Sequence, residues 1–271
     1  MATYTVSNIY IYPIKSLGGI SLQQAQAQER GLQYDRRWML VDEKGGFLSQ
    51  RKFAQMALLQ VKLEQNGLLV SHKQGLLNPL FIPFEQEGGK EVTVTIWDDT
   101  CTAREVDGDV TMWFSKALGM FARLVYMPEN TRRIVDPTYA FEEEVVSFAD
   151  AYPFLIIGQE ALNNLNSKLA KPIPMNRFRP NIVFTGGQPH DEDTWDSFTI
   201  GEVNFRAAKP CARCVLTTID QQTAIKGAEP LRTLATYRMQ NNKVLFGQNL
   251  VHEGEGIIKV GNQVQVLQWK Q

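Results

Sequence analysis

Three cysteines among 271 residues are too few, and odd in number, for a disulfide framework. They also fall short of the four thiolates that an iron–sulfur cluster ordinarily takes. No stretch of about 18 apolar residues occurs, so no spanning helix is expected. The amino terminus enters a strand-like pattern without the apolar core of a signal peptide. Charge of either sign is not in excess: 28 Lys and Arg against 29 Asp and Glu leave a net charge of −1. That balance argues against a general binder of nucleic acid or membrane surfaces. Gly-x-Gly-x-x-Gly, a Walker loop and Gly-x-Ser-x-Gly are all missing, so nothing points to a nicotinamide or flavin of the chain's own. The cysteine usage makes a reducing cytoplasm the expected setting.

What is present is an ordinary globular composition, 44% hydrophobic, long enough for one large domain or two small ones. The first 100 or so residues read as β. Thr3 to Tyr12 is rich in β-branched and aromatic residues, and Trp38 to Val41 and Phe47 to Gln50 flank a turn containing Gly45-Gly46. Leu58 to Leu63 and Leu68 to Ser71 flank Asn66-Gly67, a strong hairpin signal. Val92 to Ile96 alternates. Val110, Trp113, Phe114, Ala117 and Leu118 recur at helical spacing. Arg123 to Met127 returns to strand, and residues 128–148, with Glu142-Glu143-Glu144 near their end, read as a loop or linker between halves. Later strands are expected at Phe154 to Ile157, Ile182 to Phe184, Val203 to Arg206, Val215 to Ile219 and Val264 to Leu267. Helices are expected at Gln159 to Leu169 and, led by proline, at Pro230 to Arg238. The fold class is mixed α+β and β-rich: β-barrels with peripheral helices, divided into units at 1–125 and 126–271.

Lys209-Pro210-Cys211-Ala212-Arg213-Cys214 is the most informative stretch. It holds two of the three cysteines and an arginine beside one of them, and a cationic neighbour favours the reactive thiolate. The pattern alone leaves several readings open. They are two half-buried structural cysteines, a thioredoxin-like pair, which the following Val215-Leu216-Thr217-Thr218 disfavours, and a zinc site, for which further ligands are scattered singly. Three strand ends carry basic residues beside Pro, Gly or Asn: Lys15-Ser16 before Gly18-Gly19, Arg36-Arg37, and Arg177 to Asn181. Each alone reads as a solvated charge; their repetition suggests anion binding. Asp98-Asp99, Glu142 to Glu144 and Asp191 to Asp193 read as polar loops, and His190 and His252 as surface residues.

Together these pieces resemble the MOSC family, named for the C-terminal domain of molybdenum-cofactor sulfurase, and within it the branch of the mitochondrial amidoxime-reducing component and its bacterial relatives. The matching segments are Tyr-Pro-Ile-Lys-Ser at 12–16, Asp-Arg-Arg-Trp at 35–38, Asn-Arg-Phe-Arg-Pro-Asn at 176–181 and Pro-Cys-Ala-Arg-Cys-Val-Leu-Thr-Thr at 210–218. Phe246-Gly247-Gln248 and Ile258 to Gly261 complete the set. They cover nearly the whole chain, in order. The resemblance implies an N-terminal β-barrel domain followed by a MOSC domain.

It further implies a molybdenum cofactor, with Cys214 as the protein's metal ligand and catalytic anchor, a soft thiolate suited to a sulfur-bound metal. Lys15, Ser16, Arg36, Arg179 and Asn181 map onto cofactor-holding positions, and Ala212 and Arg213 lie in the turn before the ligand. Asp150-Ala151-Tyr152 falls where relatives touch the cofactor, but with different side chains. A further cysteine of some relatives is here Gly187, and the ferredoxin-like domain that some bacterial relatives append is not expected. The family also carries an association with pyridoxal phosphate. The implied activity is reduction of N-hydroxylated compounds (amidoximes, hydroxylamines, N-hydroxylated base analogues). Electrons would come from a separate ferredoxin-type or cytochrome-b5-like partner with its reductase; no nucleic-acid or membrane partner is implied. A sulfur carrier using a Cys214 persulfide is the alternative, and a non-enzymatic cofactor-binding module is a third reading.

Overall fold

A computed structural model describes residues 3–85, 88–140 and 143–270; of the expected Glu142 to Glu144 loop, Glu142 lies outside them. The fold is strand-rich with few helices, and its centre is a closed ring of seven strands. In spatial order these are Phe154–Gly158, Ile182–Thr185, Tyr4–Ile11, Gln263–Trp269, Trp195–Ile200, Val203–Ala212 and Lys243–Glu253, which returns to pair with Phe154–Gly158. The chain's first strand is therefore a stave in a ring otherwise built from its second half. One neighbouring pair is parallel, Phe154–Gly158 with Ile182–Thr185. Parallel neighbours need a crossover, and the helix Gln159–Asn166 lies in that connection.

The first strand shows how sequence sets packing. Tyr4, Val6, Ile9 and Ile11 all enter one core, although Val6 and Ile9 differ in parity. A β-bulge between Val6 and Asn8 absorbs the extra residue, which keeps the apolar set on one face. Phe154, Phe184, Trp195, Phe198 and Phe205 fill the same core.

Much of the rest of the first half packs around further cores beside two sheets, while Ala25, Ala27 and Leu32 join the first core. A four-stranded sheet runs Trp38–Val41, Arg123–Tyr126, Asp99–Glu105, Glu91–Ile96, and a three-stranded one runs Leu59–Glu64, Gly67–His72, Leu80–Pro83. The helix Val110–Leu118 buries Val110, Phe114 and Leu118, the expected i, i+4, i+8 face. The expected hairpin forms one residue earlier, with Glu64 opposite Gly67, so Gln65-Asn66 is its tip. Packing rather than the turn requires Gly67, because a Cβ there would lie 2.3 Å from the Ile82 carbonyl oxygen of the adjoining strand. Phe47 meets Val41 in a single bridge rather than a full return strand.

Two expectations are corrected around the cysteine motif. The strand starting at Val203 does not stop at Arg206 but continues to Ala212, through bulges at Ala207/Lys209 and Pro210/Ala212. Bulges are where a strand accommodates proline, which lacks the ladder N–H. The expected strand from Val215 is instead a 3-10 turn, Val215–Thr218. Thr217 and Thr218 hydroxyls donate to the Cys214 and Val215 carbonyls at 3.0 and 2.8 Å, a local alternative to a sheet ladder.

Candidate functional site

Backbone pairing brings distant motifs together. Arg36 N–H donates to the Tyr12 carbonyl (3.0 Å), Trp38 N–H to Pro13 (3.0 Å), and Lys15 N–H to Trp38 (2.8 Å). Tyr10 N–H donates to Asn181, whose own N–H donates to Leu155, both at 2.8 Å. Lys15, Ser16, Arg36, Arg179 and Asn181 thus converge, and with Ala212, Arg213 and Cys214 they line one cleft of about 870 Å³, open solvent included. Every site residue expected from the sequence borders it.

The cationic side is built around Tyr12, fully enclosed in the fold. The Arg36 and Arg179 guanidiniums stand over its ring at 4.4 and 4.1 Å, close enough for cation–π attraction. Its hydroxyl donates to the Pro180 carbonyl at 3.1 Å. A Cβ at Gly19 would sit 2.4 Å from Tyr12 Cε1, so glycine there leaves room for the ring. Asp35, 1% exposed, accepts from Arg36 Nη1 (2.5 Å) and Tyr12 N–H (2.7 Å). Asn181 Oδ1 accepts from Arg36 Nη1 at 3.1 Å and from Leu155 N–H at 3.2 Å. Arg179 Nη1 donates to the Leu17 carbonyl at 2.7 Å. Burial lowers the Arg179 guanidinium to about 10, which leaves it a cation near neutrality.

Lys15 Nζ donates to the Phe148 carbonyl (2.7 Å) and to Asp150 Oδ1 (2.6 Å). Burial pulls its pKa down to about 8, with Asp150 opposing. Desolvation would raise the Asp150 carboxyl, but the Lys15 ammonium outweighs it and holds the group below the usual carboxylate range. The Asp150 side chain is 60% exposed, so solvent screening discounts what this pair contributes to stability.

Of nine non-glycine residues with positive φ among those described, four line this cleft: Ser16 (67°), Arg36 (50°), Trp97 (57°) and Arg179 (56°). Such backbone costs about 1–3 kcal/mol per residue and gathers at functional sites.

On the thiol side, Cys214 has extended backbone and leads the 3-10 turn. The adjacent arginine does not serve it as expected. Arg213 Nη1 donates to Cys211 Sγ at 2.9 Å and Nη2 to the Phe178 carbonyl at 2.5 Å. Its Nε and the Tyr152 hydroxyl are buried without a partner, a condition that calls for a ligand or water. Among the described residues no three His, Cys, Asp or Glu groups converge to hold a bare metal ion. A metal at Cys214 would draw its other ligands from a cofactor. The soft sulfur of Cys214, the unpaired donors and a separate cluster of cations fit a sulfur-bound metal carried on a phosphorylated pterin.

Tyr12 and Asp35 are not legible in the sequence as side chains of the site, although each stands inside one of its motifs; Asp150-Ala151-Tyr152, placed near the cofactor by the resemblance, borders the cleft. Phe47, Arg51 and Trp97, which reach the cleft from the first half, are not legible either. Arg37 and Arg177 turn away, to Glu129 and Asp220. His252 is no surface-loop residue: it lies on Lys243–Glu253 with its ring 4.8 Å from Phe154 and Nε2 2.9 Å from the Gln28 carbonyl. Nor is Asp191 to Asp193 simply a polar loop. Glu192 is fully buried, and desolvation raises its carboxyl to about 7. Burial lowers His190 to about 4, with both ring nitrogens unpaired.

Comparison with known proteins agrees with this architecture. Residues 3–121 match the MOSC N-terminal beta barrel domain and residues 143–265 the MOSC domain. Mitochondrial amidoxime-reducing component 1 of Mus musculus is 31% identical over 97% of this chain and 82% of its own length. Mitochondrial amidoxime reducing component 2 of Rattus norvegicus is 32% identical over 96% and 82%. Molybdenum cofactor sulfurase of Oryza sativa is 29% identical over 96% of this chain but only 34% of its own length. With both domains in order and the two mitochondrial relatives matched along most of their length, the chain belongs to the MOSC family.

Proposed function

We propose that this protein is a molybdenum-cofactor-dependent oxidoreductase that reduces N-hydroxylated compounds: amidoximes, hydroxylamines and N-hydroxylated base analogues. The observation that carries the reading is the meeting, in one cleft, of the Cys214 thiol with the Lys15, Arg36 and Arg179 cations. Names of relatives that reduce amidoximes support the substrate class. When bound, the cofactor supplies the two-electron metal chemistry that N–O reduction requires.

The chain's own residues divide the remaining work. Cys214 would be the metal's protein ligand. Lys15, Ser16, Arg36 and Arg179 would hold the cofactor's phosphate, since charge-assisted donors suit that group best. Asp35 and Asn181 orient Arg36, and Tyr12 spaces the two guanidiniums so that both aim into the cleft without meeting. Ala212 and Arg213 would border the pterin, with Arg213 Nε as a donor not yet engaged. Lys15, Ser16 and Arg36 come from the unit at 1–125, and Arg179 and the Cys214 thiol from the unit at 126–271. Each turnover consumes two electrons and two protons and releases water. The electrons come from a separate partner of ferredoxin or cytochrome-b5 type with its reductase.

The sulfur-carrier reading draws on the second thiol, Cys211, held by Arg213. Cofactor-loaded protein given a reduced viologen and benzamidoxime separates the two. Benzamidine formation is expected. Absence of turnover together with persulfide labelling at Cys214 would favour the carrier.

A further inference from the structure

Phe47, Arg51 and Trp97 border the same cleft as Cys214 but belong to no part of the anion grip. Trp97 opens a two-residue hairpin turn, since Ile96 pairs with Asp99 across it. Such turns favour asparagine, aspartate or glycine because they need positive φ. Trp97 takes φ 57° there, a conformation in which a bulky side chain crowds its own backbone. The indole is not there to fill a core: it is 40% exposed, whereas Lys15 and Arg179 are 5% and 8% exposed.

It is nevertheless held from several sides. The Arg51 guanidinium stacks over its ring at 4.0 Å. Phe47 meets it edge-on at 4.7 Å. Its Nε1 donates to Asp150 Oδ1 at 3.2 Å, and Asp150 also pairs with Arg51 at 3.6 Å and with Lys15. Asp150 therefore ties this wall to the anion grip and fixes the distance between them. The indole borders the cleft, and the part of it that Arg51 and Phe47 leave exposed is flat π surface. A planar ring gains stacking energy against it that a puckered ring of equal size does not.

We propose that Trp97 is the specificity-determining wall of the cleft and selects substrates whose N-hydroxylated group is attached to a flat, conjugated ring. This rests on the reductase reading above. The test compares benzamidoxime with its saturated counterpart, cyclohexanecarboxamidoxime, on the cofactor-loaded parent and on Trp97→Asn. Asparagine tolerates the left-handed turn, so the hairpin is kept while the indole is lost. KM is measured with an artificial donor, Kd by calorimetry on the oxidised holoprotein, and molybdenum content is checked in each sample.

The parent should favour benzamidoxime by about tenfold in both KM and Kd, the scale of one aromatic stacking contact. Trp97→Asn should erase that preference by weakening benzamidoxime, with the saturated compound changed by less than about twofold. Trp97→Tyr should restore part of it. Turnover of both compounds with the same preference in parent and variant would overturn the proposal while leaving the reductase reading standing. Discrimination in Kd that depends on Trp97, without turnover of either compound, would uphold the wall and sink the reductase reading. An equal loss for both compounds would make Trp97 merely structural and overturn the proposal.

Discussion

Lys15 gives the most quantitative handle on the anion grip. Its ammonium is buried beside the Phe148 carbonyl and Asp150, and burial lowers its pKa from 10.5 to about 8. An anion binds the ammonium form and raises its pKa, so above about 8 binding must also take up a proton. Between pH 7 and pH 9 the ammonium fraction of the free protein falls from about nine-tenths to about one-tenth. Anion affinity should therefore fall about tenfold, or about 1.4 kcal/mol. Arg179, at about 10, stays largely charged over that window and does not mask the change. Calorimetric titration of the unloaded protein with sulfate, which does not itself titrate in this range, reads the effect directly. Lys15→Met should bind sulfate weakly, with little dependence on pH from 7 to 9. Folding stability of the unloaded protein moves the other way. The lowered pKa means that the unfolded chain holds the proton more tightly, so stability rises with pH between about 8 and 10.5. A sulfate affinity in the parent that is constant from pH 7 to pH 9 would refute the reasoning.

Two further outcomes follow from buried polar groups. Glu192 is raised from 4.5 to about 7 by desolvation, so the folded state binds its proton more tightly than the unfolded chain. Its favourable contribution is full below about 4.5 and is lost as pH rises through about 7. Glu192→Gln should thus gain on the order of 3 kcal/mol over the parent between pH 5 and pH 8 in urea unfolding; parallel pH profiles would contradict this. Asn181→Ala removes the acceptor for Leu155 N–H and Arg36. It should cost about 2 kcal/mol of stability as well as weakening sulfate binding; a loss of stability alone would leave Asn181 no part in the anion grip.

Local signals carried much of the fold into the sequence. The alternation at Glu91–Ile96 and the 3.6-residue spacing at Val110–Leu118 each depend on neighbours within one element. Nonlocal closure was not legible. Nothing in Tyr4–Ile11 announces that its partners are Ile182–Thr185 and Gln263–Trp269. Pro210 reads as a breaker until a bulge shows how the strand passes it. The β-branched run at Val215–Thr218 misleads because its threonine hydroxyls bond backward to their own turn. At the site, Cys214 and the Lys15, Arg36 and Arg179 cations that border the cleft are reached through family resemblance and motif repetition, whereas Phe47, Arg51 and Trp97, which also border it, are not. Tyr12 between two guanidiniums and Asp35 under Arg36 act through geometry that only the assembled chain supplies. The burial of Glu192 and His252 was invisible for the same reason: a charged or imidazole side chain signals solvent unless the packing around it is known.

The central claim is that Cys214, and not Cys211, anchors a molybdenum-bearing pterin in the cleft. Elemental analysis of protein produced with cofactor biosynthesis intact tests it most directly, on the parent, Cys214→Ala and Cys211→Ala. The account predicts stoichiometric molybdenum in the parent and in Cys211→Ala, and its loss from Cys214→Ala. Full molybdenum in Cys214→Ala, or none in the parent even after reconstitution, would contradict it.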